Sequence, residues 1–310
     1  MARSTKAMAK PWSAELELKG AGGEPVDLWR TLASHGVADL LPQVVDEEAH
    51  ALVTTLPLSR GRARTIHIRA GRKGFARIEG DGITVADGVS LVETARHMLR
   101  LDSDLSGFYA AARGDPDLGW ACAGAGRMLR SPTVFEDVVK TICTTNCTWS
   151  ATVRMVTALV QTLGVPAEGA PERRTFPTPE AMAQAGDDFY VGVAKTGYRG
   201  AYLRTLAADV AEGRLDLEAL DDPELPDDEA AERLLALPGV GPYACAHVMM
   251  LLGRYGRLVL DSWTRPKYRK VTGRPRVTDK GIEKAFRRYR EYAGLAFWLV
   301  LTRDWVTEAG

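Results

Sequence analysis

The chain has 310 residues, 45% of them hydrophobic, and its 40 Lys and Arg residues balance its 40 Asp and Glu residues. The length fits one large domain or two ordinary ones, and the apolar content is enough for a sizeable core. Because the net charge is zero, only the distribution of charge along the chain can indicate a binding partner.

Targeting signals and membrane segments are not expected. The first residues, MARSTKAMAKPW, are basic but lack the apolar stretch of a secretory signal. No apolar run approaches the roughly 18–20 residues of a membrane-spanning helix. Four cysteines in a chain of this length do not form a disulfide framework. We therefore expect a cytoplasmic protein that does not contact membranes and, with no sign of oligomerisation, a monomer.

Residues 13–90 predict a mixed α/β region. The stretch LWRTLASHGVADLL indicates a short helix near its start. The segments TIHIRA (65–70) and FARIEG (75–80) alternate apolar and polar residues, and the turn residues between them predict a β-hairpin. We assign residues 1–90 to an N-terminal mixed α/β domain, in which we find no chemistry.

From residue 91 onward the spacing of apolar residues is helical. In SPTVFEDVVKTICTTN, Ser131 is the predicted N-cap and Pro132 the first helical residue. AYLRTLAADVAEG and DDEAAERLLAL predict two further helices, and the breaks at 164–178 and 221–228 are predicted surface loops. The predicted fold class is therefore α+β, with a mainly helical region at 91–310.

Charge is strongly segregated within the helical region. Residues 254–290 contain 13 Lys or Arg residues and three acids, whereas residues 209–232 contain 11 acids and one Arg. Either run could be a solvated face. The basic run directly follows a glycine-rich turn, however, which favours contact with a phosphate backbone.

That turn lies in LPGVGPYACAHVMMLLG, residues 237–253. Pro238 disfavours helix at the residue before it, and Gly239 and Gly241 permit a tight turn with no Cβ atoms. A new helix is predicted to begin near Pro242, with unsatisfied amides that can bind one anion. The alternative is a plain corner between two helices.

A lone acid, Asp261, follows in LVLDSW. Taken alone, it reads as a helix N-cap. Together, the hairpin and LVLDSW closely resemble the helix–hairpin–helix superfamily of base-excision DNA glycosylases, including the spacing from Tyr243 to Asp261. Three further stretches resemble the 8-oxoguanine DNA glycosylase branch: LRLDSDLSGFY (99–109), ICTTNC (142–147) and TGYRGAY (196–202). The five matches keep the family's order from about residue 95 to 300.

The resemblance implies a two-lobed helical region around a cleft, and a partner that is double-stranded DNA with a damaged base. Such an enzyme flips the base into a pocket and hydrolyses its N-glycosidic bond. Asp261 is then the catalytic carboxylate, which stabilises the positive charge on the sugar and can orient a water. The implied DNA-binding residues are Gly239, Val240, Gly241, Asn146, Tyr198 and Arg199. In the basic run, Lys267, Arg269 and Lys270 are expected to bind phosphates, with simple surface exposure as the alternative for each. Asn146 and Tyr198 would occupy and flank the hole left by the base, although a capping Asn and a core Tyr are the alternatives.

The sequence departs from the family at three points. Tyr243 replaces the lysine that forms a Schiff base in bifunctional members, which predicts hydrolysis by water and an aromatic pocket suited to an alkylated purine. Phe297 takes the place of the glutamine that reads 8-oxoguanine; with Trp298 it is either a pocket wall or ordinary core. The last cysteine is Cys245, so the usual iron–sulfur cluster is not expected.

No cofactor is therefore expected, although a structural monovalent or divalent cation at the hairpin stays open. Cys143, Cys147, Cys245 and His247 are interpreted as buried side chains rather than metal ligands. The predicted function is a monofunctional, nucleoid-associated repair glycosylase. Two alternatives remain: an oxidised-base glycosylase and lyase that uses another lysine, such as Lys195 or Lys267, and a non-catalytic binder of DNA structure.

Overall fold

The computed structural model describes residues 10–306. The basic segment 1–9, on which the prediction about a secretory signal depends, lies outside the described residues. Among the described helices, none has both the length and the apolar character needed to cross a membrane.

The N-terminal part contains a five-stranded antiparallel sheet, in the order β1 (Pro11–Glu17), β5 (Phe75–Asp81), β4 (Ala63–Ala70), β3 (Ala51–Pro57) and β2 (Val44–Asp46). The predicted hairpin is confirmed: Ile68 pairs with Ile78, and the turn closes with the Gly71 amide donating to the Phe75 carbonyl at 2.9 Å. Alternation explains the face that is buried, since Ile66, Ile68 and Ile78 have no exposed surface.

Helices dominate the rest of the described chain, which agrees with the predicted α+β class. The short helix α1 in the N-terminal part spans Leu28–Leu32. The others are α2 Val85–Met98, α3 Ser106–Ala112, α4 Val134–Thr144, α5 Trp149–Leu163, α6 Pro179–Gln184, α7 Arg199–Ala211, α8 Asp227–Leu235, α9 Pro242–Leu251, α10 Thr264–Thr272, α11 Asp279–Phe286 and α12 Ala293–Thr302.

Two local predictions were wrong. Helix α4 begins at Val134 rather than Pro132, because Thr133 is the N-cap and its hydroxyl accepts from the Glu136 amide at 3.2 Å. Ser131 instead donates its amide to the Asp137 carboxylate at 3.1 Å. The break at 164–178 contains two short paired strands, β6 Pro166–Ala167 and β7 Ala170–Arg174, where a loop had been predicted.

The helices bury their apolar faces in two separate clusters. One contains residues of α4, α5, α7 and α8, and the other contains residues of α3, α10, α11 and α12. Helix α9 contributes to both, and Tyr243 in its first turn packs against both. A third cluster contains residues of the sheet and of α2. Helix α2 crosses residue 90, and the domain boundary proposed at that residue stays a prediction.

Candidate active site

The conformation of the hairpin between α8 and α9 explains why positions 239 and 241 are glycines. Gly239 has φ +83°, a conformation that favours glycine, and a Cβ there would lie 2.8 Å from Cδ2 of Tyr202. Gly241 is the N-cap of α9, and Pro242 is at the first helical position as predicted. A Cβ on Gly241 would meet nothing within 4 Å. The first glycine is therefore needed by the turn itself, whereas the second keeps the entrance to α9 open.

A cavity of about 940 Å³ opens beside this hairpin. Its walls come from the hairpin, the end of α4, the starts of α5 and α7, the loop before α10, the last helix with the segment after it, and a short N-terminal segment. Seven aromatic side chains line it, together with one carboxylate, one imidazole and small residues of the hairpin. The aromatic residues are Trp149, Tyr198, Tyr202, Tyr243, Trp263, Trp298 and Trp305.

Asp261 is the carboxylate in the cavity wall. Its Oδ1 accepts from the backbone amides of Trp263 at 2.8 Å and Thr264 at 2.6 Å, and its own amide donates to Thr264 Oγ1 at 2.8 Å. The side chain therefore fixes the turn that leads into α10, although the N-cap of that helix is Trp263 rather than Asp261. No described residue donates a hydrogen bond to Oδ2, so this second oxygen is available to a ligand in the cavity.

Tyr243 lies in the first turn of α9 and also lines the cavity. Its hydroxyl lies 3.3 Å from Thr144 Oγ1. Burial, aided by the negative charge of Asp261, raises the pKa of the Tyr243 phenol, so the hydroxyl stays protonated at neutral pH. No lysine lines the cavity among residues 10–306.

Asn146 and Tyr198 meet at the rim of the cavity although they are far apart in sequence. Asn146 Nδ2 donates to the Tyr198 hydroxyl at 3.3 Å, and Asn146 has φ +46°, a conformation that asparagine tolerates better than most residues. The Tyr198 side chain is 53% exposed, which rules out the core alternative, and the N-cap of the next helix, α5, is Thr148 rather than Asn146. A polar side chain and a ring are thus presented together beside the hairpin.

Arg199 is not available for base contact, which corrects its predicted role. It is 6% exposed, and its guanidinium donates through Nε to the Thr145 carbonyl at 3.1 Å and through Nη2 to the same oxygen. Its guanidinium carbon also lies 4.5 Å from the centre of the Tyr198 ring. Arg199 therefore holds together the two segments that carry Asn146 and Tyr198.

The two aromatic residues predicted on α12 have different positions. Trp298 lines the cavity, with its indole Nε1 donating to the Ser34 carbonyl at 2.8 Å. Phe297 has no exposed surface and lies in the core, with its ring centre 5.3 Å from that of Phe286. The prediction of Phe297 as a pocket residue was wrong because neighbouring residues on a helix point about 100° apart.

The basic segment is partly neutralised by its surroundings. Lys267 is paired with Asp304 at 2.7 Å, a contact that competes with a phosphate. Two residues of the acidic run form ion pairs with this segment: Arg254 pairs with Asp227 at 2.6 Å, and Arg257 pairs with Asp228 at 3.2 Å. Arg269 and Lys270 instead lie at the exposed end of α10, where with Arg274 they border a shallow open depression.

Of the four cysteine and histidine residues predicted to be buried, three are buried and one is exposed. Cys143, Cys245 and His247 are buried, and burial raises the pKa of the Cys143 thiol to about 12. Cys147 is exposed and lines the cavity, contrary to prediction, because it follows the last turn of α4. Within the described residues, no group of three or more His, Cys, Asp or Glu side chains could hold a metal ion.

Sequence reasoning missed part of the cavity wall. Gly36 and Val37 come from the N-terminal region in which we predicted no chemistry, and Trp149, Trp263 and Trp305 come from three separate segments. Only Trp263 carried a local signal, since it lies two residues after Asp261. The others are brought to the cavity by tertiary packing alone.

We compared the chain with protein families, curated proteins and solved structures. No protein-family model matches the chain, and no curated protein matches it in sequence. The structure is similar to a 3-methyladenine DNA glycosylase from Archaeoglobus fulgidus, with a TM-score of 0.71 and 21% identity over 94% of this chain and 99% of that one. It is also similar to an 8-oxoguanine glycosylase/lyase from Clostridium acetobutylicum, with a TM-score of 0.69 and 18% identity over 95% of this chain and 98% of that one. For the same enzyme solved with double-stranded DNA containing cytosine opposite 8-oxoguanine, the TM-score is 0.68 and the identity is 17%, over 96% of this chain and 98% of that one. At these identities the comparisons show a shared fold.

Proposed function

We propose that this chain is a DNA repair glycosylase that hydrolyses the N-glycosidic bond of a damaged base flipped out of a duplex. The observation that carries the proposal is the position of Asp261, whose Oδ2 is unpartnered in the wall of an aromatic cavity beside a glycine hairpin. The fold shared along most of the chain with DNA glycosylases that act on 3-methyladenine and 8-oxoguanine supports it.

The proposed reaction begins with extrusion of the nucleotide, because the bond to the base is inaccessible within a stacked duplex. The helical region acts as two lobes, one around each helical cluster, with the cavity between them. Tyr198 stacks beside the vacated position and Asn146 supplies amide hydrogen bonds to the orphaned base. Such stacking offsets part of the unstacking cost, by roughly 1–3 kcal/mol.

Bond cleavage leaves positive charge on the sugar, and the Asp261 carboxylate stabilises it electrostatically. The Trp263 and Thr264 amides fix the orientation of the carboxylate through Oδ1. Oδ2 then orients a water toward the sugar carbon and accepts its proton as the bond breaks. The products are a free base and an abasic site.

The enzyme is proposed to be monofunctional, because Tyr243 has no amine with which to form a Schiff base. Its preferred substrate is an alkylated purine. Rings of Tyr243, Trp298 and Trp263 surround the cavity, and electron-rich aromatic faces bind an electron-deficient, cationic base favourably. Any structural cation at the hairpin would have to rely on backbone carbonyls, given the lack of clustered side-chain ligands in the described chain.

DNA is proposed to lie across the hairpin and the exposed end of α10. The open space next to Gly241 admits a phosphate to the first amides of α9. Arg269 and Lys270 supply positive charge to the same strand. Because Lys267 is paired with Asp304, we assign it a smaller part in binding than the sequence suggested.

The test is base release from duplexes that each carry one lesion: an alkylated purine, 8-oxoguanine, hypoxanthine or uracil. Abasic sites are revealed by alkali. We expect an alkylated purine to be released by the wild-type protein and not by Asp261→Asn, which keeps its affinity for the duplex. Ser262→Ala is the matched control, since the adjacent hydroxyl has no assigned role. Release at an unchanged rate by Asp261→Asn would remove the catalytic assignment.

The lyase alternative is tested by borohydride trapping. We expect no covalent adduct between the protein and lesion-containing DNA, because no described lysine lines the cavity. A trapped adduct lost in Lys195→Met or Lys267→Met would establish that alternative. Tight binding without base release from any lesion would favour the non-catalytic DNA binder.

A further inference from the structure

The floor of the cavity contains an imidazole that the proposed reaction does not use. His247 lies on α9 one turn after Tyr243 and lines the cavity, but it is only 4% exposed. Neither ring nitrogen has a hydrogen-bond partner in the described chain. A buried polar group without a partner destabilises the folded protein, so this arrangement calls for an explanation.

The surroundings of His247 do not supply that partner. Its ring centre lies 6.1 Å from that of Tyr243 and 6.5 Å from that of Trp298, both of which line the cavity. The Trp298 indole is already committed to the Ser34 carbonyl, and the Tyr243 hydroxyl lies near Thr144. The centre of the His35 ring lies 5.8 Å from that of His247, and the Nε2 of His35 is 2.6 Å from the Leu129 carbonyl oxygen. The His35 Nδ1 also lacks a hydrogen-bond partner among the described residues. Because His247 lines the cavity, a molecule bound there can supply the missing partner of its ring.

We propose that His247 determines base specificity by hydrogen bonding to the polar edge of the flipped purine. The inference rests on the proposed function and names the group that selects among its substrates. Aromatic walls bind any purine face, whereas a neutral imidazole offers one donor and one acceptor in fixed positions. A site built to form such hydrogen bonds discriminates strongly against a base that lacks the matching group.

The charge state of His247 suits a cationic base. Burial lowers the pKa of His247 to about 4, and burial together with the nearby His247 lowers that of His35 to about 3. Both rings are therefore neutral at physiological pH. A protonated ring at this position would repel a purine that carries the positive charge of an added alkyl group.

The experiment uses DNA treated with a methylating agent, which contains 3-methyladenine with 3-methylguanine and 7-methyladenine with 7-methylguanine. Each pair shares the position of methylation and differs at the polar edge. Released bases are separated and quantified as a function of time. We expect the wild-type protein to favour one member of a pair at least tenfold, His247→Phe to reduce that ratio to threefold or less, and His247→Gln, which keeps a donor and an acceptor, to retain most of it.

The controls separate this inference from the proposed function. Thermal unfolding and affinity for a duplex with a stable abasic-site analogue show whether each variant is folded and binds DNA. If wild type and His247→Phe release bases in the same ratio, the specificity role is refuted while the glycosylase function stands. A wild-type protein that does not discriminate within either pair also refutes it. If the wild type releases no methylated base, the proposed preference for alkylated purines fails and this inference fails with it, while the wider lesion panel still tests the glycosylase function.

Discussion

The two glycines of the hairpin should respond differently to the same substitution. Gly239 has φ +83°, and an added Cβ would lie 2.8 Å from Cδ2 of Tyr202 and 3.4 Å from Cγ2 of Ile142. Gly241 has φ −100° and ψ −174°, which alanine adopts freely, and its Cβ would face open space. We therefore expect Gly239→Ala to reduce stability and Gly241→Ala to reduce DNA affinity.

The magnitudes follow from backbone strain and contact. An alanine in the left-handed region costs roughly 1–2 kcal/mol. The clash at Gly239 adds to this only modestly, because the Tyr202 ring is partly exposed and can shift. For Gly241→Ala, the lower entropy of the unfolded chain, about 0.4–1 kcal/mol, is offset by the poorer N-cap preference of alanine. We expect its stability to stay within about 0.5 kcal/mol of wild type.

Urea unfolding gives the free energy of each variant, and fluorescence anisotropy with a labelled duplex gives the affinity. We expect Gly241→Ala to weaken binding about tenfold, or about 1.4 kcal/mol, which is near the lower end of the roughly 1.5–3 kcal/mol of one hydrogen bond to a charged group. Gly213→Ala is a matched control, since Gly213 also has positive φ and lies in the turn after α7. The reasoning is refuted if Gly239→Ala is as stable as wild type, or if Gly241→Ala binds DNA normally.

Three further predictions concern buried polar groups. Glu24→Leu should destabilise the protein by about 3–5 kcal/mol in urea unfolding, because it leaves the fully buried Arg127 guanidinium without its carboxylate partner; a loss below 1 kcal/mol would contradict this. Arg199→Met should lower stability by about 1–3 kcal/mol, because the Thr145 carbonyl loses its charged donor, and should slow base release; unchanged unfolding and release would refute the positioning role. Burial lowers the pKa of His247 to about 4, below the value near 6.5 of an unfolded histidine, so below pH 6.5 the unfolded chain binds a proton that the folded protein does not. The free energy of unfolding is therefore fully retained above pH 6.5 and decreases as pH falls toward 4. Unfolding midpoints between pH 7 and 5 should therefore fall less steeply in His247→Phe than in wild type, and parallel slopes would contradict this.

The sequence predicted those features that depend on local geometry. The start of α9 at Pro242 follows from the proline and the two glycines, and the sheet hairpin follows from alternation. The contact between Asn146 and Tyr198 did not follow from local geometry. It was anticipated only through the family resemblance, because 52 residues separate the two positions.

Other features could not be read from spacing. Phe297 and Trp298 are adjacent aromatic residues, and only the packing of α12 decides which one lies in the core and which in the cavity. The family resemblance implied that Arg199 contacts DNA, but the side chain is buried and donates to the Thr145 carbonyl. The partners of Lys267 and Arg254 likewise come from distant segments, so the effective charge of the basic run required the structure.

The concentration of indoles around the cavity gives the protein a built-in optical reporter. Four of the seven tryptophans line the cavity: Trp149, Trp263, Trp298 and Trp305. The last three are mutually close, with ring centres 5.5 to 5.9 Å apart. Tryptophan emission depends on the polarity around the indole and on quenching by stacked rings. Under the proposed function, we therefore expect a base that enters the cavity to change the intrinsic fluorescence of the unlabelled protein. Stopped-flow recording of that signal can time base insertion separately from bond cleavage.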